Sequence, residues 1–404
     1  MAQDQYEYQI SSPEFKANPY PAYQKFRETP SFVQVPSPMG KSYFITRRED
    51  AEAALREPRF STNPHTIMPP ELIAQVFSDT EFMRAFLTSM MLQDPPDHTR
   101  LRRLVNVAFT PRKMEMWAGR VQAITDALLD ELPAYGAIDL IESFAYPLPM
   151  RVFSEVLGIP TPDREQFRVW SVSFGDSLGD PVKTHSIQPQ MADFLQYIYW
   201  LIDEKTAHPT QDLISDLIQA EAEGTRLNRQ ELVGMIITLL IAGNETTVNL
   251  ISNGMYVLFQ HPEQLALLKQ DPTLIKGAVE EILRYRGAAT NGSERWVQED
   301  FEFRGHHFKK GESVYISIAS VNRDAAYCPH AETFDITRKD NQHLAFGFGI
   351  HYCLGAPLAR IEGQIAIQSL LRRYPNIRAN ADLGSLRWRP GSTLLGLEKL
   401  PVIL

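Results

Sequence analysis

A chain of 404 residues with 44% hydrophobic and 22% charged side chains can bury an extensive core, which excludes a disordered or low-complexity protein. Its 40 basic and 49 acidic residues leave a formal charge of −9, which excludes nucleic acid as a main partner. Two cysteines exclude a disulfide framework, and a reducing, cytoplasmic setting fits a chain with so few thiols.

The opening MAQDQYEYQI is polar and has neither the basic nor the apolar region of a signal peptide. No repeat or Gly/Ser linker divides the remainder of the chain, so the sequence predicts a single domain over residues 1–404. In chain order, EFMRAFLTSMMLQ (81–93) is rich in Met, Phe and Leu and supplies Met90 and Met91 as candidate pocket residues. Next, DPPDHTRLRRLVNVAF (94–109) leads through prolines into an amphipathic basic helix, on which His98 and Arg102 share a face at i, i+4. PRKMEMWAGRVQAITDALLDEL (111–132) repeats apolar residues at helical spacing.

The longest predicted helix covers 228–263 and opens with a capping box, Asn228 with Glu231 three places on. Such a helix would run roughly 50 Å. Its apolar stretch Met235–Gly243 is shorter than the roughly 20 residues that cross a bilayer, so no membrane span is expected. AGNETT (242–247) interrupts this helix with a glycine, an asparagine and two threonines, all poor in a helix interior. A threonine hydroxyl there can bond the i−4 carbonyl and loosen the turn, opening a groove.

PTLIKGAVEEILRYRG (272–287) predicts a helix ending at glycine, with Glu281 and Arg284 at i, i+3. From 295 to 320 apolar and polar residues alternate around Gly305 and Gly311, which predicts hairpins, and the tail STLLGLEKLPVIL reads as strand. The fold class is therefore mainly α with a smaller β region late in the chain.

HLAFGFGIHYCLGAPLAR (343–360) holds Cys353. The thiol could be structural, a zinc ligand, a nucleophile or a metal thiolate. Zinc needs about four ligands, which the second cysteine, Cys328, does not help to supply, and His351 at i−2 is poorly placed as a base. The local sequence favours the metal thiolate. Gly347 and Gly349 allow a tight turn and close approach to a flat ligand, and a helix begins just after the cysteine, so its positive end favours the thiolate form.

The pattern Phe346-Gly347-x-Gly349-x-His351-x-Cys353-x-Gly355 resembles the haem-binding loop of the cytochrome P450 family, soluble bacterial type. The resemblance implies the family fold, with haem b between the long central helix and the Cys353 loop with its following helix. Cys353 would be the axial thiolate, with Phe346, Gly347 and Gly355 forming its loop, and His98, Arg102, Arg295 and His351 would reach the haem propionates. Glu281 and Arg284 match the E-x-x-R pair, joined by Arg338 of FDITR. Glu245 and Thr246 match the acid–alcohol pair that relays protons, with Ala242 and Gly243 facing the oxygen pocket.

Candidate pocket walls are Met90, Met91, Leu239, Ala288, Ala289 and Leu395. After Arg284 the chain reads YRGAATNG, without the proline common there in bacterial members. The implied activity is a monooxygenase that inserts one atom of O2 into an apolar small molecule by hydroxylation or epoxidation. Nothing in the 404 residues is left for a reductase domain, so electrons are expected from a separate ferredoxin and ferredoxin reductase, with the protein a monomer. Arg100, Arg103, Arg112, Lys113, Arg372 and Arg373 are candidates for a basic docking patch. The alternatives are a peroxide-driven peroxygenase and a non-catalytic haem sensor or carrier.

Overall fold

The computed structural model describes residues 10, 12–29, 32–37, 40–177, 181–222, 224–391 and 393–404. The polar opening, Ile10 apart, lies outside them. The chain is 59% helical with about 10% strand. It divides into two compact units, each assembled from separated stretches: residues 1–60, 121–148 and 246–404 in the first, 61–120 and 149–245 in the second.

The predicted helices of the second unit form close to where the sequence places them. Asp97–Asn106 follows the prolines and buries His98, Leu101, Leu104 and Val105. Asp94 fixes its entry: its backbone carbonyl accepts from His98 N at 2.9 Å, and its carboxylate accepts from Thr62 N at 3.1 Å. The helix Arg229–Gly243 starts with the expected capping box, in which Asn228 and Glu231 each accept the other's backbone N–H at 2.9 Å.

The long central helix is not continuous. Its first half ends at Gly243, Asn244 departs from helical geometry with φ −100° and ψ −70°, and a second helix runs Glu245–Gln260. The break falls inside AGNETT, where helix propensity is weakest. Burial also corrects the membrane argument. Taken together, Arg229–Gln260 is long and apolar enough to cross a bilayer, with mean hydropathy 1.3 in its best window, but 61% of that window is buried inside the protein. It is a core helix.

The first unit carries most of the β structure. A five-stranded sheet runs in the order Val33–Ser37, Gly40–Ile45, Ser313–Ile316, Arg295–Val297, Phe60–Ser61. Its first two strands were not visible as strands in the sequence; their hairpin forms because Val33, Val35 and Phe44 bury against Tyr23 and Phe26. The expected alternation after 295 gives Phe301–Phe303 paired with His306–Phe308 across the Gly305 turn. These strands close an aromatic core with Tyr43 and Phe60. The tail is less regular than predicted: only Pro401–Ile403 is a strand, preceded by isolated bridges at Leu394 and Leu397. The loop with Cys353 leads into Ala356–Arg373, an 18-residue helix with Gly355 as its N-cap and proline in its first turn.

Candidate functional site

In the first unit the Cys353 loop is a sequence of tight turns. Gly347 N donates to Leu344 O at 2.9 Å, Cys353 N to Phe346 O at 2.8 Å, and Tyr352 N to Gly349 O at 3.1 Å. Gly347 and Gly349 hold φ of +73° and +75°, the left-handed region that side chains disfavour, so both glycines are required by the backbone. Cys353 is partly buried and is not joined to Cys328. The loop therefore presents one thiol at the start of a long helix.

Two carboxylates in successive positions brace this loop. Glu281 is fully buried and accepts from Arg284 at 2.7 and 2.8 Å and from Arg338 Nε at 3.2 and 3.3 Å. It also takes the backbone N–H of Asp335 and the side-chain amide of Asn341, each at 3.0 Å. The predicted trio of Glu281, Arg284 and Arg338 is thus one network, with two partners that the sequence did not reveal. A buried charge is tolerated when surrounded by donors in this way.

Glu280, the preceding residue, was missed. It accepts from Arg360 at 2.7 and 2.9 Å and pairs with His343 Nε2 at 3.1 Å. Arg360 lies 4.5 Å over the Phe346 ring and reaches Tyr352 Oη at 3.2 Å, so the network grips the loop on both sides of the turns. Burial alone would raise the Glu280 carboxyl, but the hydrogen bonds from His343 and Arg360 hold it at about 2. The signal available in sequence was the doubled glutamate of EEILR together with His343 at the head of the Cys353 window.

Arg295 is buried on its strand and donates to Phe60 O at 3.3 Å. Ala288, Ala289 and Leu395 lie side by side: Leu395 N donates to Ala288 O at 2.7 Å, and Ala289 bridges to Leu394. His351 sits partly buried in the short turn Gly349–His351. Thr246 is partly buried in the first turn of Glu245–Gln260.

In the second unit His98 is buried and Arg102 half-buried on one helix face. The Met90–Leu92 turn packs against Arg229–Gly243, the helix that carries Leu239. Along that helix, residues 232–238 are buried, but Leu239 is half-buried and Ala242 exposed. Leu239 and Ala242, at i and i+3 near the end of this helix, form its accessible edge.

Gly243 is placed differently from expectation. A Cβ there would lie 2.3 Å from Cε2 of Phe153, so its hydrogen faces a packed ring. The glycine at this position answers to helix packing. A small surface pocket in the same unit is lined by Phe82, Met83, Phe174, Ile187 and Met191, with threonines and a glutamine around it.

Four of the six cations considered for a docking patch have carboxylate partners: Arg100 with Glu231, Lys113 with Asp216, Arg372 with Asp126 and Arg373 with Asp130. Their local charge is largely neutralised. Among the described residues, no group of three or more His, Cys, Asp and Glu side chains is placed to hold a metal ion. Within the first unit the donors fit a thiolate-held porphyrin: one thiol outside any disulfide on a glycine loop, and a buried Arg295 able to meet a carboxylate.

Comparison with known proteins agrees with this chemistry. The family model described as Cytochrome P450 matches residues 180–377. The polyketide biosynthesis cytochrome P450 PksS of Bacillus subtilis (strain 168) is 41% identical over 398 residues, 97% of this chain and 97% of its own. The cytochrome P450 monooxygenase PikC of Streptomyces venezuelae is 42% identical over 393 residues, 96% of this chain and 92% of its own. Among solved structures, myxobacterial cytochrome P450 CYP267B1 in complex with myristic acid superposes with a TM-score of 0.91 at 37% identity, covering 98% of each chain.

Proposed function

This chain belongs to the cytochrome P450 family, and from that premise we propose that it oxygenates an apolar metabolite of polyketide or fatty-acyl kind, using O2 and electrons from a separate ferredoxin and its reductase. It is a haem-thiolate monooxygenase, an oxidoreductase carrying haem b on a cysteine thiolate. The substrate class is supported by the names of its relatives, one assigned to polyketide biosynthesis and one holding myristic acid. A cytoplasmic, monomeric enzyme whose whole chain forms one catalytic domain completes the reading.

When bound, the haem supplies the activation of O2 and the transfer of one oxygen atom to the substrate. The chain's own residues hold and direct it. Cys353 would give the thiolate, at the N-terminal end of Ala356–Arg373, where a helix dipole favours the anionic form. His98, Arg102, Arg295 and His351 offer donors to the propionates. The Glu281 and Glu280 networks keep the loop in one conformation, so that the sulfur does not wander.

Thr246 would hold a proton at its hydroxyl, and Glu245 would pass one from solvent. Leu239, Ala242, Ala288, Ala289 and Leu395 supply apolar surface that orients substrate and excludes water, with Met90 and Met91 adding to it.

The carrying observation is Cys353 at the head of the Ala356–Arg373 helix, on a loop with two left-handed glycines. The test is the spectrum of the reduced, CO-bound protein beside Cys353→His. A red-shifted Soret band of thiolate type is expected in the wild type and lost in the variant. Wild-type protein without that band would overturn the reading. Turnover with hydrogen peroxide but never with a ferredoxin system would transfer it to the peroxygenase alternative.

A further inference from the structure

Lys16 is a lysine in an unusual place. It lies on a five-residue helix, Pro13–Ala17, near the start of the described chain, yet only 2% of it is exposed. Its ammonium donates to two backbone carbonyls that converge from opposite sides of one loop, Arg389 O at 2.9 Å and Leu394 O at 2.6 Å. That loop is closed by Arg389 N donating to Gly396 O at 2.8 Å. A buried ammonium is costly unless its donors are matched, so the loop and the lysine fix one another.

A five-residue helix has no stability of its own, and its position must come from contacts. Arg286 provides them from the end of the E-x-x-R helix. Its Nη2 donates to Lys16 O and Ala17 O, each at 3.2 Å, while its guanidinium stacks 4.1 Å over the buried Trp388 ring. The N-terminal helix is thus clasped twice, by Arg286 holding its carbonyls and by Lys16 reaching past it into the loop.

The same loop carries Leu395, and every carbonyl from 393 to 396 has a named donor. Thr393 O takes Thr290 N at 2.8 Å, Leu394 O takes Lys16, Leu395 O takes Asn253 Nδ2 at 2.8 Å, and Gly396 O takes Arg389 N. Leu395 N in turn donates to Ala288 O. The segment bearing Leu395 is therefore tied to the segment bearing Ala288 and Ala289, and one of the ties comes from a residue some 380 positions away in sequence.

We propose that Lys16 is a positioning residue for substrate selection, setting the wall formed by Leu395, Ala288 and Ala289 from outside the pocket. The inference rests on the reading of those three residues as pocket wall. Replacing the ammonium by an apolar end removes the Lys16 hydrogen bonds to Arg389 O and Leu394 O and so loosens one of the ties that hold this segment. Leu395 moves with it. Cys353 and its networks are untouched by the change.

The test uses the full-length holoenzyme and two ligands that bind iron through nitrogen. Imidazole reports access to the metal, and 1-dodecylimidazole also reports the apolar wall. Lys16→Met is expected to keep the thiolate-type CO spectrum and the imidazole affinity, and to weaken 1-dodecylimidazole about fivefold or more. Unchanged dodecylimidazole affinity in a folded Lys16→Met holoenzyme overturns the proposal.

Leu395→Phe serves as the direct control. If Leu395→Phe shifts dodecylimidazole binding and Lys16→Met does not, the inference about Lys16 fails while the wall stands. If neither shifts it, the wall reading fails. Should Lys16→Met not accumulate with haem, Lys16→Gln, whose amide keeps two donors, is measured the same way. An intermediate loss supports the clasp, and wild-type discrimination overturns it.

Discussion

Glu280 and Glu281 stand side by side on one helix, yet burial and partners give them separate tasks. Glu281 disappears into the core with two arginines, while Glu280 faces the Cys353 loop through His343 and Arg360. The Glu280 carboxyl lies at about 2 against an ordinary 4.5, so its contribution is present above 4.5 and disappears as pH falls toward 2. Glu280→Gln is expected to be less stable than wild type at pH 7 and to show a flatter acid limb. Melting temperatures at pH 7, 4.5 and 3 check this, and parallel curves for the two proteins would contradict it. Glu281 was identified through its resemblance to the family's E-x-x-R pattern, because an i, i+3 Glu–Arg pair alone is usually a surface pair. That pattern did not identify Glu280, whose partners lie 63 and 80 residues away.

At the scale of elements, AGNETT shows how a sequence signal can be read correctly for place and incompletely for cause. Weak helix formers predicted a defect, and the helix does break at Asn244. Gly243, however, sits where the neighbouring helix Pro147–Leu157 brings Phe153 against the backbone. Gly243→Ala should therefore cost about 1–3 kcal/mol through overpacking, measurable by thermal or denaturant unfolding. Adding Phe153→Leu should recover much of that loss. Equal destabilisation with and without the smaller partner would show that the ring is not the cause. The paired strands Val33–Ser37 and Gly40–Ile45 were invisible for a related reason: Gly40–Ile45 is fixed by pairing with Ser313–Ile316, which lies about 270 residues later.

For the whole molecule, the chain passes between its two compact units four times, at 60/61, 120/121, 148/149 and 245/246. Neither unit is a continuous stretch, so neither can complete its core before distant segments arrive. A single unfolding transition is expected, with far-UV circular dichroism and Soret absorbance giving midpoints within about 2 °C. Midpoints separated by more than about 5 °C would show that the units melt independently. The sequence by itself determined the helix-rich class, the capping box at Asn228, the thiol loop and the E-x-x-R pair, because each depends on residues within a turn or two of one another. Only tertiary structure decided that Arg360 and His343 share Glu280, that Gly243 answers to Phe153, and that Lys16 closes the loop beside Leu395. Those contacts join segments tens to hundreds of residues apart, and local patterning carries no record of which distant donor will meet a buried carbonyl or carboxylate.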